Sequence, residues 1–302
     1  MRVGFIGIGK MGLPMATNIL KAGHTLIVHD IDQGAASSLL EQGATWADTP
    51  REVAEASEVV MTSLPGPTEV EAVALGHDGI LSGIQEGAIY ADMSTGSATI
   101  LRHIHARFEA RKAFVLDAPV SGGIIGAEQG TLAVMVGGSQ EAYEHAKPLF
   151  ETIGQGVTHV GGIGAGTVAK LVHNAISMTT RIVVQEGLVL AVKAGVDPNT
   201  MLEVLLNASF GKQLILTNHI PEIIFTGDFD HPRFSLSLSH KDVGLALDLA
   251  KELDVPMALI EMADQRIQEG MDRGWGDQDN MVTVRLQEEA AGVEVRTDKA
   301  RS

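Results

Sequence analysis

Lys170 and Asn174 stand four residues apart in the run Gly164-Ala-Gly-Thr-Val-Ala-Lys170-Leu-Val-His-Asn174. On a helix, positions i and i+4 share a face, so an ammonium and a carboxamide would project together. Their neighbours Val168, Ala169, Leu171, Val172 and Ala175 are apolar, and a lysine in such company loses hydration. Lost hydration disfavours the charged form and makes the group usable as an acid or base near neutral pH. The pair thus has the chemistry of a proton donor beside a polar group that orients it or its substrate. The ordinary alternative is a lysine that snorkels to solvent, and the spacing alone does not exclude it. His173 reads as a packing or capping residue.

A nicotinamide cofactor would give such a proton donor its purpose, and the N-terminus offers a place for one. Gly7-Ile8-Gly9-Lys10-Met11-Gly12 matches G-x-G-x-x-G between a strand pattern and a helix pattern. Gly7 allows the tight turn, Gly9 lets backbone approach a pyrophosphate, and Gly12 permits close helix–strand packing, with the helix N-terminus facing the phosphates. Asp30 ends the second strand pattern, where a carboxylate accepts ribose hydroxyls. No Arg or Lys occurs from Ile31 to Leu40, so a 2′-phosphate has no cation to meet, which predicts NAD over NADP. Two more strand ends, at Leu64-Pro65 and at Thr95, are expected to edge the cofactor. Asp92, Ser94 and Ser97 read as caps of the helix that follows, Ser97 above all. Ser121-Gly122-Gly123 ends another strand. Its consecutive amides and hydroxyl suit a carboxylate, or form an ordinary glycine loop.

The elements that must position these groups follow from periodicity. Val3–Ile6, Thr25–His29, Val59–Ser63, Ile89–Asp92, Phe114–Leu116, Leu132–Val136 and Val157–Val160 read as strands, with helical spacing at Met11–Ala22, Ala35–Gln42 and Ile100–Ala110. That alternation predicts an α/β, Rossmann-type doubly wound sheet over 1–162, with part of one edge antiparallel after Asp117. From Thr167 to about Ala194 the pattern is one long helix, apolar at Ile176, Val183, Val184, Leu188 and Leu190 and so expected to be buried nearly all round. Helices are predicted at Thr200–Leu206, near Pro221, and at Lys241–Leu253, Pro256–Arg273 and Asp279–Ala291, with a frayed tail from Arg296. The second half, 163–302, is therefore an all-α domain joined to the first through a Gly-rich segment at 161–166. Such a layout implies a closing cleft and a homodimer or homotetramer built on the helical domains.

Composition excludes other classes. The 302 residues carry 22 Lys+Arg against 38 Asp+Glu, a net charge of −16 that disfavours nucleic acid and anionic membranes. Cys is absent, so no disulfide, thiolate metal site or thiol nucleophile exists, and a cytoplasmic location is expected. No metal site is expected either, since His103 and His105 face different directions.

Taken in order, Gly7–Gly12 with Met11, Pro14-Met15-Ala-Thr-Asn18, Asp117–Gly123, Gly164–Asn174 and Lys241-Asp242 resemble the 3-hydroxyisobutyrate dehydrogenase, or β-hydroxyacid dehydrogenase, family. That family includes tartronate semialdehyde reductases and L-threonate dehydrogenases. The likeness runs from about residue 2 to about residue 292, and Gly126–Leu132 continues it. The resemblance implies that Ser121, Gly122 and Gly123 hold the substrate carboxylate. It implies Lys170 as general acid/base, Asn174 as the orienting partner, Lys241 at the nicotinamide end and Phe234 in the substrate pocket. The activity implied is reversible, NAD-dependent oxidation of a 3-hydroxy acid to a 3-oxoacid or semialdehyde. Many members carry Ser-Ser-Gly-Arg where this chain has Ala208-Ser209-Phe210-Gly211-Lys212, a departure expected near the substrate's distal end, so the resemblance does not carry over a substrate identity. The rival readings are an imine reductase on the same scaffold, against which Lys170 argues, and a non-catalytic NAD-responsive binding protein.

Overall fold

The computed structural model describes residues 1–193, 195–207, 215–252 and 258–297. Packing divides the chain into two units, Met1–Leu171 and Val172–Ser302.

In the first unit, nine strands among the described residues form one sheet: β1 (Arg2–Ile6), β2 (Thr25–His29), β3 (Thr45–Trp46), β4 (Val59–Thr62), β5 (Ile89–Asp92), β6 (Phe114–Asp117), β7 (Val120–Ser121), β8 (Leu132–Gly137) and β9 (Gly154–Gly161). Their order is β3-β2-β1-β4-β5-β6-β8-β7, with β9 beside β8. The first six are parallel, β8 runs antiparallel to β6 and β7, and β9 is parallel to β8. The antiparallel part of the sheet thus begins after Asp117, as the short links there suggest. Central strands are buried on both faces, which is why they read as unbroken apolar runs. Alternation still sorts them: Val3, Phe5, Met61, Ala91 and Leu116 enter one core, whereas Ile6, Val60, Tyr90 and Val115 enter the other.

Helices cover both faces: α1 (Gly12–Lys21), α2 (Ser37–Glu41), α3 (Pro50–Glu55), α4 (Pro67–Leu75), α5 (Ile80–Gly83), α6 (Ala98–Glu109), α7 (Gly123–Gln129) and α8 (Gln140–Ile153). Their starts follow local chemistry. Thr49 caps α3 ahead of Pro50, Ser97 caps α6 by accepting the Ile100 N–H, and Ser139 caps α8.

α9 (Ala165–Lys193) has 29 residues, about 43 Å of helix. The dividing line between the units falls inside it, past the expected boundary at 162, because its first turns are bonded to β6. The second unit continues with α10 (Pro198–Asn207), a π-helical segment at Ile215–Ile224, α11 (Leu236–Glu252), α12 (Ala258–Asp272) and α13 (Val284–Ala291). It contains no strand among the described residues. Asp197 caps α10 through the Thr200 N–H at 3.0 Å, ahead of Pro198.

Two expectations need correction. Val184 and Leu188 are buried, but Val172 is 46% and Ile176 60% exposed, so α9 is not covered all round within one chain. The tail is not frayed at Arg296. That guanidinium pairs with buried Glu288 and lies 5.3 Å from the Phe229 ring, and the Thr297 N–H bonds the Phe225 carbonyl. No described helix is long and apolar enough to cross a membrane.

Candidate active site

The glycine turn fits a dinucleotide. A Cβ on Gly7 would strike the Ser63 carbonyl oxygen, and one on Gly12 would strike the Gly7 carbonyl oxygen, whereas one on Gly9 would meet nothing within 4 Å. Two glycines are therefore demanded by packing and the middle one by the space it leaves open. No side chain caps α1 at Met11, and although the Leu13 N–H already bonds the Gly9 carbonyl at 2.9 Å, the positive end of the helix dipole favours an anion at this turn. Asp30 is already aimed at this turn: its Oδ2 accepts the Ile8 N–H at 2.6 Å and its Oδ1 the Asp32 N–H at 2.9 Å.

The neighbouring strand ends are tied together by one buried carboxylate. Asp92 Oδ1 accepts Thr62 Oγ1 at 2.8 Å, Ser94 Oγ at 2.7 Å and the Ser94 N–H at 3.1 Å. Ser94 Oγ in turn accepts the Leu64 N–H at 2.9 Å. The turn at Leu64-Pro65 and the turn that carries half-buried Thr95 are thus fixed to each other. Burial pushes Asp92 up to about 6, the three donors only partly opposing it. Asp92 and Ser94 do not cap α6, as their spacing had suggested; Ser97 does.

Ser121 ends β7, and Gly122 and Gly123 follow with φ of 137° and 64°. Both angles favour glycine, so the chain can turn into α7 with no side chain over its amides. The loop is braced from the cofactor side, because Asn18 Nδ2 on α1 donates to the Ala127 carbonyl on α7 at 2.7 Å.

Lys170 lies on α9 with 8% of its surface exposed, as the apolar neighbours imply. Asn174 follows one turn later and is buried. Its Nδ2 donates to Asp242 Oδ2 in a very short bond, and Asp242 Oδ1 lies 3.3 Å from Lys241 Nζ. The C-terminal unit therefore brings Asn174, Lys241 and Asp242 together. Phe234 is half-buried ahead of α11, and its carbonyl accepts the Asn280 N–H. His173 is exposed, with Nδ1 3.2 Å from Asn174 Oδ1. Phe210 and Lys212 lie outside the described residues. No group of His, Asp or Glu among those residues could hold a metal ion.

Two residues not read as site residues from the sequence make buried bonds here: Asp117 accepts the Gly164 and Thr167 N–H groups, and Asp242 accepts the Asn174 amide. Both stand inside the motifs that carry the resemblance, and that is the only signal the sequence offers for them.

Comparison with known proteins agrees with this geometry. Residues 2–162 match the family model for the NAD-binding domain of 6-phosphogluconate dehydrogenase, and residues 164–287 match that for the NAD-binding region of NADP-dependent 3-hydroxyisobutyrate dehydrogenase. The chain is 38% identical to 2-(hydroxymethyl)glutarate dehydrogenase of Eubacterium barkeri, over 98% of this chain and 97% of the relative. It is 40% identical to 2-hydroxy-3-oxopropionate reductase of Escherichia coli, over 84% of this chain and 85% of that one. Among solved structures, 3-hydroxyisobutyrate dehydrogenase of Mycobacterium tuberculosis with L-serine matches at a TM-score of 0.86 and 30% identity, covering 95% of this chain and 98% of that chain. By these matches over nearly its whole length, the chain belongs to the 3-hydroxyisobutyrate dehydrogenase, or β-hydroxyacid dehydrogenase, family of nicotinamide-dependent oxidoreductases.

Proposed function

We propose that this chain interconverts a small 3-hydroxy acid and its 3-oxoacid or semialdehyde, with NAD as cofactor and Lys170 as general acid/base. The observation that carries the reading is the burial of Lys170, one helical turn before an asparagine whose amide is held by Asp242. A lysine kept from water exchanges a proton at lower cost than a surface lysine does. Gly7, Gly9, Met11 and Gly12 would hold the dinucleotide, with Asp30 at the ribose and Leu64, Pro65 and Thr95 along its edge. When bound, the nicotinamide ring exchanges a hydride with the carbon that bears the hydroxyl. Lys170 takes the hydroxyl proton in oxidation and returns it in reduction, while Ser121, Gly122 and Gly123 hold the carboxylate at a set distance from that carbon. Roles for Lys241 and Phe234 rest on the family resemblance alone.

The compounds in the relatives' names support the substrate class. 2-(Hydroxymethyl)glutarate and 2-hydroxy-3-oxopropionate each place a primary alcohol or aldehyde on the carbon β to a carboxylate. Asp30, with no cation from Ile31 to Leu40, supports NAD over NADP. Val172 and Ile176, exposed four residues apart on α9, support a homodimer or homotetramer in which a second copy covers them.

The test is Lys170→Ala, assayed by NADH absorbance on a panel of 3-hydroxyisobutyrate, L-serine and glycerate. Turnover should fall by about 10² to 10⁴-fold, with NADH affinity nearly unchanged. Near-normal turnover in the variant would sink the lysine's role. Silence of the wild type across the panel, despite NAD binding, would favour the non-catalytic binding protein.

A further inference from the structure

Asp117 ends β6, the strand that leads to Ser121–Gly123, and is fully buried. Its Oδ1 accepts the Gly164 N–H at 2.7 Å and its Oδ2 the Thr167 N–H at 2.6 Å. Those amides form the N-terminus of α9, and Lys170 follows Thr167 by three residues. A helix is usually capped by the residue just before it. Here the cap reaches α9 across 47 and 50 residues of chain. Bonds from backbone N–H to an ionised carboxylate are short and strong, and a negative charge suits the positive end of a helix.

Packing leaves this junction no slack. A Cβ on Gly166 would run into the carbonyl oxygens of Met135 and Asp117. One on Gly137 would strike Asp117 Oδ1 and come within 2.7 Å of the Gly166 nitrogen. The first turn of α9 therefore lies with its backbone directly against β6 and β8. Two bonds from one carboxylate then fix both its height along the axis and its rotation.

We propose that Asp117 is a positioning residue for Lys170, locking the helix that carries the lysine to the strand that feeds the carboxylate-holding loop. The inference rests on the reading of Lys170 as general acid/base. Since a misplacement of about 1 Å can cost about 10²-fold in rate, loosening this cap should appear in turnover ahead of binding. A cap that serves only stability would lower the melting temperature and leave turnover per folded molecule unchanged.

The experiment compares the full-length wild type, Asp117→Asn, Asp117→Ala and Lys170→Ala well below their melting temperatures. It measures kcat and KM with NAD and 3-hydroxyisobutyrate, NADH affinity by fluorescence, and the rate of Lys170 acetylation as a function of pH by mass spectrometry. Asp117→Asn keeps one acceptor and should lose about tenfold in kcat, and Asp117→Ala about 100-fold. NADH affinity should stay within about threefold, and Lys170 should acetylate several-fold faster with a shifted pH profile. If Asp117→Ala does not fold, Asp117→Asn decides. Wild-type turnover and wild-type acetylation in the folded variant overturn the proposal. Loss of NADH affinity in step with kcat also overturns it, because the damage is then general. Wild-type turnover in Lys170→Ala removes the underlying reading instead, whatever the Asp117 variants do.

Discussion

In the N-terminal unit, Asp92 and Asp117 each close a strand, and each collects its donors from turns of the same unit: Thr62 and Ser94 for one, Gly164 and Thr167 for the other. In the C-terminal unit, Thr179 Oγ1, Arg181 Nε and Nη1, and Gln278 Oε1 are shielded from water with no partner among the described residues. The N-terminal unit has its own exception in His105 Nδ1. A buried polar atom without a partner costs about 1–3 kcal/mol. His105 apart, the first unit satisfies its buried side chains internally, whereas the second leaves polar atoms of Thr179, Arg181 and Gln278 without partners among the described residues. The contrast also separates two ways of building a site. In the first unit, buried carboxylates at strand ends tie neighbouring turns together, while in the second Asn174 is bonded to the side chain of Asp242 and lies 3.2 Å from His173 Nδ1.

The largest test of that contrast uses one substitution in both units. Gly166→Ala should cost about 3 kcal/mol, since the new methyl meets backbone on two strands. Gly244→Ala, mid-helix in α11 with nothing within 4 Å of its Cβ, should gain about 0.5–1 kcal/mol. Urea unfolding of both variants measures the pair, and equal signs would erase the distinction.

A second test reads pH. Asp92 has its folded pKa raised from 3.8 to about 6. Its contribution to stability is therefore present below about pH 4 and lost as pH rises through 6, up to about 3 kcal/mol. Asp92→Asn, whose amide oxygen can accept the same donors, should be more stable than the wild type at pH 7, with the advantage gone near pH 4. His219 behaves in the opposite sense. Burial, with Arg181 and Arg233 nearby, lowers it from 6.5 to about 4, so its contribution is present above pH 6.5 and lost as pH falls through 4. His219→Gln should remove that acid-side loss. Melting curves from pH 4 to 8 check both, and parallel curves for the two variants would contradict the assignment.

The smallest expected effect is Asp242→Asn. Asn174 should keep a weakened bond, with kcat falling several-fold and stability by about 1–2 kcal/mol. Steady-state kinetics beside thermal melts would show it, and unchanged kcat would detach Asp242 from the site.

Much of this was legible before any coordinates. The parallel strands were visible as apolar runs, the cofactor turn as glycines that packing demands, and α9 as a long stretch without proline. β3 and β7 were not visible, because two residues carry no period. The π-helical segment around Pro221 read simply as helix, since an apolar face looks alike at either pitch. The roles of Asp92, Asp117 and Asp242 were hidden for a common reason: their partners lie 30, 47 and 68 residues away in sequence. Local spacing made Asp92 a helix cap, and only tertiary geometry made Asp117 one. Ile176 was expected inside and is 60% exposed, because an apolar helical run does not show which of its residues the rest of the chain covers.

The reach of Asp117 across the chain has a practical consequence for taking the protein apart. The family models meet between residues 162 and 164, which invites excision of the cofactor domain as 1–162. Such a fragment would keep the carboxylate of Asp117 in the sheet and discard both amides that solvate it. A fragment that runs through Leu171, where the packing divides, retains them, and with them the residue proposed to move the proton.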